Sequence, residues 1–367
     1  MKILYDHQIF AIQEYGGVSR YFLELIIHLK KLAGLDCILP LKFSNNFFIR
    51  NSNLVKTEAF LPRWCFPGKS FLTHTINIPN MLSHFKKGDY DLFHPTYYSP
   101  YFLKALDRKP FVLTIYDMIH ERYSSFFSRT DSMVANKKLL AQKATKIIAI
   151  SESTKKDIID FYKFNPQKIE VIHLATSLRP HNDLTGQKKL PQRYILFVGL
   201  RHLYKNFEMF LKAIGPIFKE DQILHLICAG GGGFSKKENA LMDELGIKDK
   251  VISFMKAADT DLAHLYQNAA VFVFPSLYEG FGIPVLEAFA CGCPTALSDS
   301  SSLPEVGGSA AIYFNPHDPV SIRNAVEKII YDEALRSQLR LKGYEQLKKF
   351  SWEATACKTR DLYWGIL

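Results

Sequence analysis

Two carboxylates, two cations and a run of glycines have the types and spacing for chemistry on a phosphorylated ligand. Glu279 and Glu287 lie in the stretch VFVFPSLYEGFGIPVLEAFACGCPTALSD, residues 271–299, where they frame the loop Tyr278-Glu279-Gly280-Phe281-Gly282. Glu287 stands between Leu286 and Ala288-Phe289-Ala290. An acid on so apolar a helix needs donors, which ligand hydroxyls or an internal ion pair would supply. Arg201 and Lys205 follow an apolar run in FVGLRHLYKN, residues 197–206, where Gly199 lets the chain turn off a strand. Cations at the carboxyl end of a strand suit a diphosphate; solvated surface charges are the plainer alternative. The Gly230–Gly233 run is not G-x-G-x-x-G, and no ribose-binding acid follows it, which disfavours a dinucleotide dehydrogenase.

The elements that must hold these residues read as alternating strands and helices. Val271–Phe274 is a continuous apolar run, the pattern of a strand buried in a parallel sheet. A helix is expected from Ile283, with Pro284 in its first turn and Gly292 and Pro294 ending it. Its N-terminus would then offer N–H groups and a partial positive charge to an anion. Strands are expected at 2–5, 37–41, 91–94, 111–115, 146–150 and 170–172, with helices over 18–32, 130–144 and 154–162. The polar stretch 176–192 reads as a linker. The alternation then restarts, with strands at 194–198, 223–229, 251–254, 271–274 and near Ile312. Helices are expected at 206–214, near 237–245, at 260–269, over 319–347 and from Trp352 onward. The fold class is α/β, with two doubly wound parallel sheets in tandem.

The 367 residues suit two domains of roughly 150–200 residues each. No apolar run reaches the roughly 18–20 residues of a membrane span, so a cytoplasmic protein is expected. The six cysteines follow no disulfide framework, and Cys291-Gly-Cys293 suits a helix stop better than a metal site. Residues 1–185 carry 25 Lys and Arg against 16 Asp and Glu, and the remainder 21 against 20. Nearly all of the formal +10 charge thus belongs to the first half. Residues 42–72 of that half interleave lysines and arginines with Phe43, Phe47, Phe48, Phe60, Trp64, Phe66 and Phe71. Such a segment fits an anionic membrane surface, or else a loop packed on its own domain.

Glu279-x7-Glu287, within PSLYEGFGIPVLEAFACGCP, resembles the signature of the family 4 retaining glycosyltransferases. FVGLRHLYKN at 197–206, DLAHLYQNAAVFVFPS at 261–276, SDSSSLPEV at 298–306 and Gly16-Gly17 extend the resemblance over essentially the whole chain. It implies the GT-B fold, two Rossmann-like domains facing across a cleft. The expected divisions are an acceptor domain at 1–175, a linker at 176–192 and a nucleotide-sugar domain at 193–350. A helix at 351–367 would return to the first domain. By resemblance Glu279 would bind donor-sugar hydroxyls and Glu287 the ribose. Gly199 and the N–H groups of Gly280, Phe281, Gly282 and Ile283 would line the donor, and Gly16 and Gly17 would approach its phosphates. Arg201 and Lys205 would neutralise the leaving diphosphate. Many members carry His-Asp where this chain has Tyr116-Asp117; Asp117 matches, and His120 is the candidate to replace the histidine. Asp89-Tyr90-Asp91 has the form of a metal-binding D-x-D but precedes its strand, so no metal and no cofactor are expected.

The resemblance implies a hexosyltransferase that retains configuration and builds a surface glycan or lipopolysaccharide. GDP-mannose is favoured among nucleotide sugars, and the acceptor is a glycan or lipid-linked oligosaccharide. The protein would sit in the cytoplasm, peripheral on the inner face of the membrane, and bind no nucleic acid. A GT-B epimerase or phosphorylase, or a non-catalytic scaffold of the same fold, is the alternative.

Overall fold

The computed structural model describes residues 1–127, 132–181, 189–201, 203–255 and 258–367. It divides into two compact units, one of Met1–Leu174 with Trp352–Leu367 and one of Ala175–Ser351.

In the first unit β1 (Lys2–Tyr5), β2 (Asp36–Ile38) and β3 (Leu92–His94) form a parallel sheet ordered β2-β1-β3. A second parallel sheet runs β4 (Val112–Ile115), β5 (Lys146–Ala149), β6 (Ile169–Val171). A single bridge, Phe93 to Phe111, links the two, so the expected one sheet is interrupted at its middle. Flanking the strands are the helices α1 (Gly17–Leu29), α2 (Lys69–Lys87), α3 (Met133–Lys143) and α4 (Glu152–Tyr162). Ser151 caps α4, accepting from the Thr154 N–H at 3.0 Å. The C-terminal helix Trp352–Trp364 lies on α1, where Thr355 donates to the His173 carbonyl at 2.7 Å. Its Tyr363 hydroxyl reaches Tyr5 at 2.8 Å and His94 at 2.5 Å in the buried core.

Two segments of this unit go beyond what the sequence pattern shows. Residues 69–87, for which the sequence pattern predicts no helix, form the long helix α2, although Pro79 lies inside it. The aromatic segment 42–72 divides. Phe43, Phe48 and Phe60 are half-buried, with Phe43 edge-on to Phe60, whereas Trp64 and Phe71 are 68% and 69% exposed.

The second unit is one six-stranded parallel sheet. Its strands are β7 (Arg193–Val198), β8 (Leu224–Ala229), β9 (Val251–Phe254), β10 (Val271–Phe274), β11 (Thr295–Ser298) and β12 (Ala311–Phe314). Their spatial order is β12-β11-β10-β7-β8-β9. The chain therefore builds outward one way from β7, then returns to start the other half at β10. That reversal leaves a crevice beyond the carboxyl ends of β7 and β10, where doubly wound sheets take their ligands. Helix α5 (Phe207–Glu220) buries Phe207, Phe210, Leu211, Ile214, Ile217 and Phe218 at helical spacing against β7 and β8. Each such side chain contributes roughly 1.5–3 kcal/mol by leaving water. The other helices of this unit longer than two turns among the described residues are α6 (Lys236–Leu245), α7 (Asp259–Asn268), α8 (Ile283–Ala290), α9 (Pro319–Tyr331) and α10 (Glu333–Leu347). Strand β11, directly after the helix-stopping Pro294, was not anticipated.

The expected linker belongs to this second unit where it is described. Thr176 and Leu178 are buried, and the His181 N–H donates to the Gln267 side chain at 3.0 Å. Residues 182–188 of it lie outside the described residues.

Candidate active site

The two loops at the β7/β10 reversal meet. Lys205, after β7, places Nζ 2.6 Å from Glu279 Oε1, after β10. Both side chains are mostly buried, 15% and 12% exposed. An ammonium has three donors, so contact with one carboxylate oxygen leaves two donors and the second oxygen for a ligand. The Leu277 N–H donates to the Tyr204 carbonyl at 2.7 Å and joins the two backbones.

Neighbours fix both loops. Asn206, at φ 59°, donates to the carbonyls of Pro275 (3.1 Å) and Pro316 (2.8 Å). The Glu279 N–H donates to Ser301 Oγ at 2.9 Å, and Ser302 Oγ lies 2.9 Å from the carbonyls of both Glu279 and Phe281. Sequence reasoning gave Asn206, Ser301 and Ser302 no role; their signal was their presence in the quoted motifs FVGLRHLYKN and SDSSSLPEV. Gly282 has φ 104°, and a Cβ there would come 2.9 Å from Leu303. That turn starts α8, whose opening N–H groups belong to Gly282 and Ile283 ahead of Pro284. Glu287, one turn further along α8, is buried and accepts from the Tyr266 hydroxyl at 3.2 Å.

Arg201 departs from expectation. Its guanidinium is folded onto the Gly230–Gly233 loop, with the side chain 3% exposed. Nη1 donates to the Gly230 carbonyl at 2.8 Å; Nη2 donates to Gly232 at 3.0 Å and Gly233 at 2.8 Å. Nε donates to Glu238 at 2.8 Å. Gly230, Gly231 and Gly232 take φ of 84°, 71° and 73°, left-handed geometry that turns their carbonyls onto one cation. Burial pulls the Glu238 carboxyl up, but the Ser235 N–H and hydroxyl and Arg201 outweigh it and hold the group below its ordinary range. Arg201, expected to face a diphosphate, contacts the protein's own backbone and Glu238, and Lys205 lies beside Glu279 at the β7/β10 reversal.

In the first unit Gly16 is the N-cap of α1 in extended backbone, and Ser19 Oγ donates to its carbonyl at 2.9 Å. Gly17 is the helix's first residue. Asp117 lies in the loop after β4 and His120 in the short helix Ile119–Arg122 that follows; Asp117 Oδ1 accepts from the Ile119 N–H at 3.0 Å, and the His120 ring stacks on Phe127. Tyr116, at the usual histidine position, points inward and donates to the Thr96 carbonyl at 3.0 Å. A buried cation holds this loop. Lys137 of α3, with its side chain 1% exposed, donates to the Asp117 carbonyl at 3.0 Å and to Glu121 at 2.9 Å, while Tyr162 donates to the other Glu121 oxygen. Lys137 and Glu121 stand 16 residues apart on different elements, and nothing in their spacing paired them.

Asp89 and Asp91 both contact Lys2, whose Nζ lies 2.6 Å from Asp89 and whose N–H donates to Asp91 at 2.7 Å. No cluster of three or more His, Cys, Asp or Glu able to hold a metal ion occurs among the described residues. Nor is any helix among them long and apolar enough to cross a membrane.

Comparison with known proteins follows the same two-part division. A family model described as Glycosyltransferase Family 4 matches residues 15–178, and one described as Glycosyl transferases group 1 matches residues 183–346. O-antigen chain mannosyltransferase B of Escherichia coli is 29% identical, over 95% of each chain. The serotype-specific mannosyltransferase WbdA of the same organism is 33% identical over 60% of this chain, a match that spans 29% of WbdA. Among solved structures, Anabaena HepE in complex with UDP and glucose superposes with a TM-score of 0.76 at 16% identity, over 99% of each chain.

Proposed function

This chain belongs to the family-4-like glycosyltransferases of the GT-B fold, and from that premise we propose that it moves mannose from GDP-mannose to a glycan or lipid-linked acceptor. The product would be a cell-surface polysaccharide or lipopolysaccharide. The observation that carries this reading is the Lys205–Glu279 contact at the β7/β10 reversal of the second unit. Mannose is favoured by the relatives named as mannosyltransferases. A nucleotide sugar as donor is supported by the fold neighbour that holds UDP and glucose.

In this reading the second unit binds the donor. Glu279 keeps one oxygen on Lys205 and offers the other to a sugar hydroxyl. Glu287 and Tyr266 receive the ribose. Bond breaking builds positive character on the sugar and negative charge on the departing diphosphate. Lys205 and the first N–H groups of α8 are fixed donors for that charge, so they stabilise the transition state more than the ground state. The acceptor attacks on the face the diphosphate leaves, configuration is retained, and the diphosphate takes the acceptor's proton. No metal is required, because Lys205 neutralises the leaving group. Arg201 acts at one remove by shaping the Gly230–Gly233 loop. The exposed Trp64, Phe71, Leu61 and Leu72, next to Arg63 and Lys69, suit a peripheral contact with an anionic lipid surface.

The test is a thermal-shift panel of nucleotide sugars, run with and without chelator. A true donor at about 100 times its dissociation constant stabilises the folded protein by roughly 2.7 kcal/mol. GDP-mannose is expected to give the largest shift, unchanged by chelator. A panel without any stabilising nucleotide sugar rejects the proposal, and a shift abolished by chelator rejects its metal-free form.

A further inference from the structure

A concavity of about 410 Å³ in the first unit has no part in the donor chemistry. It lies beyond the carboxyl end of β2, lined by Leu39–Lys42, by the strap Val55–Glu58 and by Asn80 and His84 of α2. This is the side of a parallel sheet on which such folds hold ligands.

Its walls are tied to one another. Asn77 of α2 accepts from the N–H groups of Lys42 (3.0 Å) and Phe43 (3.1 Å), and Asn80 donates to the Pro40 carbonyl at 3.1 Å. The strap is pinned by the Glu58 N–H to the Lys42 carbonyl (2.9 Å) and by the Ser44 N–H to the Glu58 carbonyl (2.8 Å). The shape is therefore held in place before any ligand arrives.

The lining is basic. Lys42, Lys56 and His84 come from three separate segments, with Glu58 the one acid among the lining residues. Neither lysine forms an ion pair with a described residue; Lys42 Nζ lies over the Phe43 ring, 5.3 Å from its centre. The His84 Nδ1–H donates to the Asn80 carbonyl at 3.0 Å, which fixes the ring and leaves Nε2 as its other polar atom. A neutral sugar offers no counter-charge to the two lysines of this lining. An oxyanion does.

We propose that this concavity binds an oxyanion carried by the acceptor, gripped by Lys42 and Lys56 with His84 beside them. The group is a phosphate ester or the carboxylate of an acidic sugar; both offer the same charge and acceptor oxygens. The proposal rests on the transferase reading for its word acceptor, but the binding site itself does not.

The experiment follows the His84 ring signals by NMR in the full chain, with saturating GDP present to fill the donor site. Inorganic phosphate and glucuronate are titrated separately. Saturable shifts in the millimolar range are expected, weakened at least about tenfold in the Lys42→Met/Lys56→Met double variant. Glu58→Gln, which removes the opposing charge, is expected to tighten binding several-fold. Response to phosphate alone assigns a phosphorylated acceptor, and response to glucuronate alone an acidic sugar. Absence of saturation with both anions, or equal affinity in the double variant, overturns the site. If the anion titrations succeed while no nucleotide sugar stabilises the protein, the site stands and its assignment to an acceptor falls.

Discussion

Arg201 and Lys205 occupy one short loop, yet their loss is expected to harm different properties. Arg201→Ala removes a guanidinium that is 3% exposed and leaves Glu238 and the carbonyls of Gly230, Gly232 and Gly233 without their donor. Breaking a buried charged contact from one side costs about 3–5 kcal/mol. In a unit the size of Ala175–Ser351 each kcal/mol moves the midpoint by about 2–4 °C, so a fall of roughly 6–20 °C is expected. Lys205→Ala removes one partner of a pair that is 15% and 12% exposed, between the surface and fully buried limits, so a cost of about 1–3 kcal/mol, or roughly 2–12 °C, is expected. Its effect belongs on turnover, which should nearly vanish while the fold persists. The assay is thermal unfolding of both variants beside transfer from GDP-mannose at a temperature where each is folded. Arg201→Lys separates charge from shape: an ammonium cannot reach three carbonyls and a carboxylate in one plane, so stability is recovered only in part. An Arg201→Ala protein that melts within about 2 °C of the parent but has lost transfer would refute this reasoning. Arg201 would then be a ligand contact.

Lys137→Met or Glu121→Gln, which each unpair a buried charge under the Asp117 loop, are expected to lower kcat more than they raise KM for the donor; unchanged kcat in both would show that the pair serves only the fold. Stability of the first unit should fall with acid, because burial lowers His7 to about 4 and His94 to about 3, against an ordinary 6.5. Above 6.5 neither state binds the proton; below it the unfolded chain does and the folded one does not, costing about 1.4 kcal/mol per pH unit for each histidine. Urea midpoints that stay flat from pH 7 to about 5 would contradict this. Replacing Trp64 and Phe71 by Ser should abolish salt-sensitive binding to anionic vesicles, and equal binding by the variant would remove the membrane contact.

The strands of the second unit were legible because a sheet buried on both faces demands runs such as Val271–Phe274, and because glycine and proline mark where α8 starts and stops. That Glu279 and Lys205 serve one site was implied only by the resemblance between motifs, and their contact by nothing in the sequence. What brings the two together is the return of the chain from β9 to β10 beside β7, a topological fact that no local pattern carries. The contacts of Arg201 were not legible for a related reason. In the linear chain it is a loop cation four residues from Lys205, and its fate depends on three glycines some thirty residues later turning their carbonyls toward it. Helix α2 was missed because Pro79 and a mixed apolar pattern hide its period; its buried positions, Thr73, Asn77, Met81 and Phe85, fall every four residues, but two of them are polar. Those polar residues are not errors of design. Asn77 holds the 42–43 backbone, which only the folded arrangement reveals.

In the proposed site Lys205 grips the diphosphate while Glu279 reads the sugar, and equilibrium binding of GDP and GDP-mannose separates the two roles. Lys205→Ala is predicted to weaken both ligands alike, by about 10- to 150-fold, the range expected for a lost charge-assisted hydrogen bond. Glu279→Gln is predicted to weaken GDP-mannose while leaving GDP nearly unchanged. If Lys205→Ala bound GDP as tightly as the parent protein does, the diphosphate would lie elsewhere and the active site described here would be contradicted.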